Sequence, residues 1–133
     1  RFIIYCIFPM KFTIMRTARI LHWVFTLLLS ALLFMSASMY FLQPDEVAVE
    51  FTIFGFPTWI IYPLAIAKFL GVVMIITKWK KWLTEWAYAG IFFNVSLAIG
   101  AHFTIQDGDQ IVAIVGLILM VGSFATWKIR EKA

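Results

Sequence analysis

Residues 20–42, ILHWVFTLLLSALLFMSASMYFL, form an uncharged stretch of 23 residues near the start of the chain. About 20 mostly apolar residues are enough for a helix to cross the hydrocarbon core of a bilayer. Three further stretches of similar length follow, at residues 57–76, 83–103 and 110–127. None of the four alternates apolar and polar residues, as the strands of a membrane β-barrel do. The sequence therefore predicts an all-α integral membrane protein, a four-helix bundle formed by residues 20–133.

The composition of the whole chain agrees with this prediction. Of the 133 residues, 63% are hydrophobic and 14% are charged, and the mean hydropathy is +0.94. Soluble domains average roughly 45–50% apolar and about 25% charged residues. A small domain has too little interior to hide such an excess of apolar surface. The composition excludes a soluble enzyme, a disordered tail and a nucleic-acid binder, although the net charge is +4.

The cysteine and histidine content limits the chemistry. Cys6 is the only cysteine, so the chain can form no internal disulfide. Thiol–disulfide chemistry with a quinone, which needs two cysteines in one chain, is excluded for the same reason. Two histidines and one cysteine are too few ligands for a structural zinc site. We therefore expect no metal site and no cofactor held in the chain.

Charge alternates between the connections and predicts the topology. Lysine and arginine precede the first stretch and occupy the second connection and the tail, whereas the first and third connections carry aspartate and glutamate. The positive-inside rule places basic connections in the cytoplasm. We therefore predict that both termini are cytoplasmic.

The segments outside the spans have simpler predictions. Residues 1–19 are expected to be an interfacial or leader segment, since Pro9 interrupts a short apolar run. The apolar residues 51–56 are expected to lie in the outer interface as an extended segment or short turn. Asp107-Gly108 predicts a turn in the third connection.

Small residues occupy two opposite faces of the third stretch when it is drawn as a helix. One face carries Ala87, Gly90 and Ala98, and the other carries Ala89 and Gly100. Small residues let membrane helices approach closely. This pattern predicts a third span in the centre of the bundle, with its bulky residues toward lipid and with Gly90 packed against a neighbour.

Lys68 is the most informative charged residue. It precedes Thr77 by nine residues, about 13 Å at 1.5 Å rise per residue. Ionisable residues within membrane spans are costly and are functional-site candidates. We expect Lys68 to point into the bundle and to contact Asn94 or Ser96, or Glu85 if the spans are offset. The alternative is a side chain that extends to the membrane surface.

Glu85 and the two histidines can each be explained by a structural role instead of a functional one. Glu85 follows Thr84 at the start of a span, where a carboxylate interacts favourably with the helix dipole. His22 and His102 are placed near opposite ends of their spans, roughly 25–30 Å apart, so they cannot ligate one haem. His102 precedes Asp107 by a few residues, which predicts either an outer polar cluster or an ordinary interfacial histidine.

Three short motifs resemble those of the DoxX-like family. They are Pro63-Leu64-Ala65-Ile66-Ala67-Lys68-Phe69-Leu70-Gly71, then Glu85-Trp86-Ala87-Tyr88-Ala89-Gly90-Ile91-Phe92-Phe93, and last Ala101-His102 followed by Gly108-Asp109. Their order and spacing match over about residues 16–130, with Ala101 where serine is usual. The resemblance implies a small four-span protein of the bacterial inner membrane, and it marks Lys68, Glu85 and His102 as positions of the family pattern.

Two functions of different kinds follow from these observations. The first is a ligand-binding or redox-associated membrane subunit, in which a quinone or lipid-like molecule contacts Lys68, Asn94, Ser96, Glu85 and His102. It would require an oxidoreductase partner that carries electrons. The second is a non-catalytic assembly factor or accessory subunit of a membrane complex. A small transporter ranks last, because four spans leave little room for a pathway.

Overall fold

Helices account for nearly all of the chain in the computed structural model, which describes the backbone of residues 2–132 and the side chains of residues 10–132. The elements are α1 (Phe2–Leu42), α2 (Pro44–Ile53), a 3₁₀ turn (Thr58–Ile60), α3 (Ile61–Thr77), α4 (Lys81–Ile105) and α5 (Gln110–Lys132). Residues 2–132 contain no strand. The all-α prediction is confirmed.

Within the part of the chain that the structure describes, four helices are long and apolar enough to cross a membrane: Met10–Leu42, Thr58–Thr77, Lys81–Ile105 and Gln110–Lys132. Each coincides with one of the four predicted stretches. Helices are favoured here because a backbone in hydrocarbon must satisfy its own hydrogen bonds. The connections and tails that carry lysine and arginine lie at one end of the bundle, the basic end. Those that carry aspartate and glutamate lie at the other, the acidic end.

Proline and two acidic residues explain why α2 forms. Pro44 stands at the start of α2, where its missing N–H is not needed, and Asp45 and Glu46 lie in the first turn, next to the positive end of the helix dipole. Of the extended segment or short turn expected at residues 51–56, the extended segment is wrong, since α2 continues to Ile53, and a turn follows at residues 54–55. The chain then turns at Gly55, whose φ is 78°.

Two left-handed residues end α3 and α4. Lys78 has a φ of 50° and Gln106 a φ of 54°, and each N–H bonds to a carbonyl four residues back, that of Met74 or His102. Gly108, with a φ of 92°, completes the turn predicted at Asp107-Gly108. These tight ends make α3–α4 and α4–α5 antiparallel neighbours.

The four long helices pack in a ring. α1 contacts α3 and α5, and α4 contacts the same two helices, so α1 lies diagonally opposite α4. The core between them is apolar: Leu29, Leu33, Ile75, Tyr88, Ile91, Val95, Met120 and Trp127. α2 packs at the acidic end through buried Val47 and Phe51.

The predicted central position of the third span is wrong. In α4 the bulky residues Tyr88, Ile91 and Val95 are buried, whereas Ala89 and Gly90 are exposed. A Cβ atom added to Gly90 would meet no atom within 4 Å. In a ring each helix has both neighbours on one side, and large side chains fill the core that they share. Ala89, Gly90 and Gly100 of α4 therefore lie on the outside, whereas Ala87 packs against the core.

The first helix also starts earlier than the predicted span. α1 begins at Phe2 and continues without a break to Leu42. Its first part is therefore continuous with the membrane helix. Its location at the interface and its role as a leader remain predictions.

The topology is tested by labelling a single cysteine. With Cys6→Ser as background, Asp109→Cys is expected to react with a membrane-impermeant maleimide added outside intact cells, because the acidic end is predicted to be external. Asp109 is exposed and its φ is not positive, so a cysteine is tolerated there, whereas Gly108 has a φ of 92° that disfavours any side chain. Labelling only after the cells are opened would reverse the predicted orientation.

Candidate functional site

The site is built around a lysine buried in the middle of α3. Lys68 is the eighth of the 17 residues of α3, and only 7% of its surface is exposed. Side chains of a helix lean toward its N-terminus, which for α3 is at the acidic end. The ammonium group therefore extends into the bundle and away from the nearer basic connection.

Two hydroxyl groups of α1 hold this ammonium. Nζ of Lys68 donates to Oγ of Ser36 and to Oη of Tyr40, each at 2.9 Å. Ser36 and Tyr40 are one helical turn apart and share a face of α1. The ammonium also lies 4.1 Å from the centre of the Tyr40 ring, and Phe51 of α2 packs edge-on against that ring. The lysine thus points inward as predicted, but toward α1.

A groove between α3 and α4 adjoins Lys68. Its volume is about 330 Å³, and it is lined by Leu33, Leu64, Ala67, Lys68, Leu70, Gly71, Met74, Leu83, Trp86, Ala87, Gly90, Ile91 and Asn94. Most of this wall is apolar. The small residues Ala67, Gly71, Ala87 and Gly90 leave the space, and exposed Leu70 and Trp86 border it on the side toward lipid.

The structure brings together two of the five predicted ligand-binding residues. Asn94, half-buried on α4, lines the same groove as Lys68, although no hydrogen bond joins the two side chains in the described part of the chain. Ser96 is half-buried on α4 away from the groove lining. Glu85 binds Lys128 of α5 rather than Lys68. His102 lies at the acidic end.

Glu85 belongs to an ion-pair network at the basic end. Lys128 binds Glu85 and also lies 3.4 Å from Glu131, which in turn lies 3.1 Å from Lys81. Surface ion pairs of this kind contribute little to stability, because water and salt screen them. The network ties the end of α5 to the start of α4.

His102 belongs to a small polar cluster at the acidic end. Its Nδ1–H donates to Oδ2 of Asp107 at 2.6 Å, and the N–H of Asp109 donates to Oδ1 of Asp107 at 3.0 Å. Burial alone would raise the pKa of Asp107, but these hydrogen bonds outweigh it and lower the pKa. Ligand atoms of the three residues lie within 4.8 Å of one another, close enough for a metal ion. Exposed acidic groups often lie this close without an ion, so the spacing alone does not make a metal site.

A second buried polar cluster lies toward the basic end and was not predicted as a site. It consists of His22 and Thr26 of α1, Tyr88 of α4, and Ser123 and Thr126 of α5. The His22 ring is fully buried. In the sequence, the only signal of this cluster is a pair of polar residues three or four positions apart on α1 and another on α5. Such pairs are equally typical of ordinary helix packing.

The sequence was compared with protein families, with curated proteins and with solved structures. The family model described as "DoxX-like family" matches residues 24–126. The comparisons with curated proteins and with solved structures found no match. The matched region includes Lys68, its partners on α1, the whole groove and the acidic-end cluster.

Proposed function

The chain belongs to the DoxX-like family and is a multi-pass membrane protein, and we propose that it binds a lipid-soluble, carbonyl-bearing molecule such as a quinone between α3 and α4. The observation that carries the proposal is that Lys68, a buried lysine whose ammonium group bonds to α1, lines an apolar groove together with Asn94. We place the protein in the bacterial inner membrane, with both termini in the cytoplasm.

The cost of burying Lys68 supports a binding role. A lysine at the centre of a membrane helix costs about 2.5–3.5 kcal/mol on insertion scales. Its described partners are two neutral hydroxyls, and no carboxylate among residues 10–132 contacts it. An ammonium has three N–H donors. Ser36 and Tyr40 accept two of them, which leaves one donor for a carbonyl oxygen in the groove.

The groove also suits such a ligand in size and polarity. Small-molecule sites are typically apolar clefts of about 300–1,000 Å³ with a few polar groups that fix orientation. Here Lys68 of α3 and Asn94 of α4 are those groups, on opposite walls of a groove of about 330 Å³. A quinone head group would fit between them, and its isoprenoid tail would leave past Leu70 and Trp86 into the lipid.

A redox role would require a second protein. Electron exchange between the chain itself and a quinone through a dithiol would need two cysteines, and this chain has one. We therefore propose that the chain binds the quinone and that an oxidoreductase partner in the membrane exchanges electrons with it.

The alternative function is a non-catalytic assembly factor or accessory subunit. One observation favours it: Ala89, Gly90 and Gly100 of α4 are exposed, and no atom lies within 4 Å of a Cβ placed on either glycine. Small exposed residues allow a second membrane helix to pack closely. In this alternative the outer face of α4 holds a subunit of a membrane complex.

Native mass spectrometry from a mild detergent distinguishes the two functions. With decylubiquinone added as probe, the ligand-binding function predicts one bound quinone per chain. The accessory function predicts a co-purifying protein subunit and no quinone adduct at saturating probe. A spectrum with the bare chain plus a protein partner would overturn the ligand-binding proposal.

A further inference from the structure

The hydrogen bonds of His22 favour its neutral ring over the protonated ring. Nδ1–H donates to the carbonyl oxygen of Ser123 at 3.1 Å, and Nε2 accepts from Nζ of Lys78. Each ring nitrogen therefore has one closer partner, and the hydroxyl oxygens of Thr26 and Thr126 lie farther from the ring nitrogens, at 3.4–3.5 Å. A proton added at Nε2 would put two cationic N–H groups face to face and remove the acceptor that Lys78 uses.

The groups that face His22 would not compensate a positive ring. From the neighbouring helices, Lys78 at the end of α3 and Arg130 on α5 face the ring, and Tyr88 on α4 reaches it through the hydroxyl of Ser123. On α1 itself, the exposed Arg19 precedes His22 by about one turn. The nearby carboxylates Glu85 and Glu131 bind Lys128 and Lys81 instead. No carboxylate within residues 10–132 contacts the ring.

Lys78 connects this cluster to the groove. It is the left-handed residue that ends α3, and its N–H bonds to the carbonyl of Met74 at 2.9 Å. Met74 lines the groove on α3, and Leu83 lines it on α4, just after the turn that Lys78 begins. Burial, and then the charge of Arg130, lowers the pKa of Lys78, so this ammonium is already in an unfavourable position. A loss of its bond to His22 would release the end of α3 and the turn.

We propose that protonation of His22 releases Lys78 and opens the basic end of the groove between α3 and α4, so that acidification regulates ligand access. The regulation of ligand access rests on the proposed function, because it assumes that the groove binds a ligand. The opening of the groove itself requires no ligand. The neighbouring Trp23 ring, 5.1 Å from Nζ of Lys78, offers the released ammonium another contact.

The direction of the pH effect follows from linkage. In the closed state the ring is neutral, whereas in an open, hydrated state a histidine titrates near its ordinary value of about 6.5. The open state therefore binds more protons below that pH and gains population as the pH falls. Between about pH 7.5 and about pH 5.5, one such histidine shifts the open-to-closed ratio by about tenfold.

The test places a nitroxide on the groove wall. With Cys6→Ser as background, Leu83→Cys is spin-labelled in the full chain, which is then reconstituted in lipid nanodiscs without quinone. The ratio of mobile to immobile components in the EPR spectrum is expected to rise about tenfold from about pH 7.5 to about pH 5.5. A spectrum that does not change over this range would overturn the inference.

Three variants assign the effect to His22. His22→Gln and Lys78→Met are each expected to reduce the pH-dependent change to less than about twofold. The first removes the titrating ring, and the second removes the bond whose loss opens the groove, so that this variant is open at both pH values. The matched control is His102→Gln, the other histidine, which should keep the tenfold change. If His22→Gln does not fold, Lys78→Met decides. A full response in Lys78→Met, or its loss in His102→Gln, would contradict the inference. Because no quinone is present, this outcome is independent of the ligand-binding test.

Discussion

Replacing Gly122 by leucine is expected to prevent α1 and α5 from packing, whereas the same change at Gly90 is expected to leave the bundle intact. A Cβ on Gly122 would lie 2.9–3.0 Å from three ring atoms of Phe25 on α1. Real Cβ contacts are longer, so the ring or the helix must move. Gly90 has nothing within 4 Å of the same atom, because it borders the groove on the outer side of α4.

The pair is compared by thermal unfolding in detergent and by size-exclusion chromatography. Overpacking costs about 1–3 kcal/mol and sometimes more, so Gly122→Leu should lower the melting temperature strongly or give an aggregated protein. Gly90→Leu should behave like the wild type, although it would narrow the groove. If Gly90→Leu is the more damaging change, the ring arrangement described here is incorrect.

Replacing Lys68 by methionine is expected to weaken quinone binding by about tenfold to hundredfold while preserving the fold. Methionine keeps much of the lysine stem volume and removes the charge and all three donors. Apolar replacement of buried ionic groups is often neutral or stabilising by about 1–4 kcal/mol. Here Ser36 and Tyr40 lose their shared donor, which offsets part of that gain. The melting temperature should therefore stay close to that of the wild type.

The control for Lys68→Met is Lys80→Met, which removes an equal charge from the exposed connection before α4. Decylubiquinone affinity is measured for both by titration in detergent. Loss of one charge-assisted hydrogen bond of about 1.5–3 kcal/mol corresponds to a tenfold to hundredfold weaker affinity. Equal affinities in the two variants would show that Lys68 does not contact the ligand.

The positions of the membrane helices could be predicted from the sequence because lipid allows few alternatives. A run of about 20 apolar residues in hydrocarbon must be helical to satisfy its backbone. Pro44 and the Asp107-Gly108 turn then mark two of the connections. The helical state of residues 51–53 was missed, since Pro44 was interpreted as the end of α1 and not also as the start of α2.

The arrangement of the helices could not be predicted from one helix at a time. The small residues of α4 show that close approach is sterically allowed, but they do not show whether a neighbour is present. Gly90 and Gly122 look alike in the sequence, yet Gly122 faces Phe25 and Gly90 faces the groove. The two glycines are distinguished only by the ring arrangement, in which no helix packs against the outer side of α4.

The partners of Lys68 were mispredicted for a related reason. The sequence gives the depth of a residue in the membrane, and Asn94 and Ser96 seemed close to Lys68 in depth. It does not give the rotation of each helix about its axis. The Lys68 side chain extends about one turn toward the acidic end and meets Ser36 and Tyr40 of α1 there. Asn94 lines the groove without reaching the lysine.

The most direct test of the proposed binding site is an experimental density map of the protein purified from native membranes in mild detergent. The proposed function predicts elongated non-protein density in the groove between α3 and α4. Its head group should lie within hydrogen-bond distance, about 2.7–3.2 Å, of Nζ of Lys68. A groove filled by side chains, or acyl-chain density that makes no polar contact with Lys68, would contradict it.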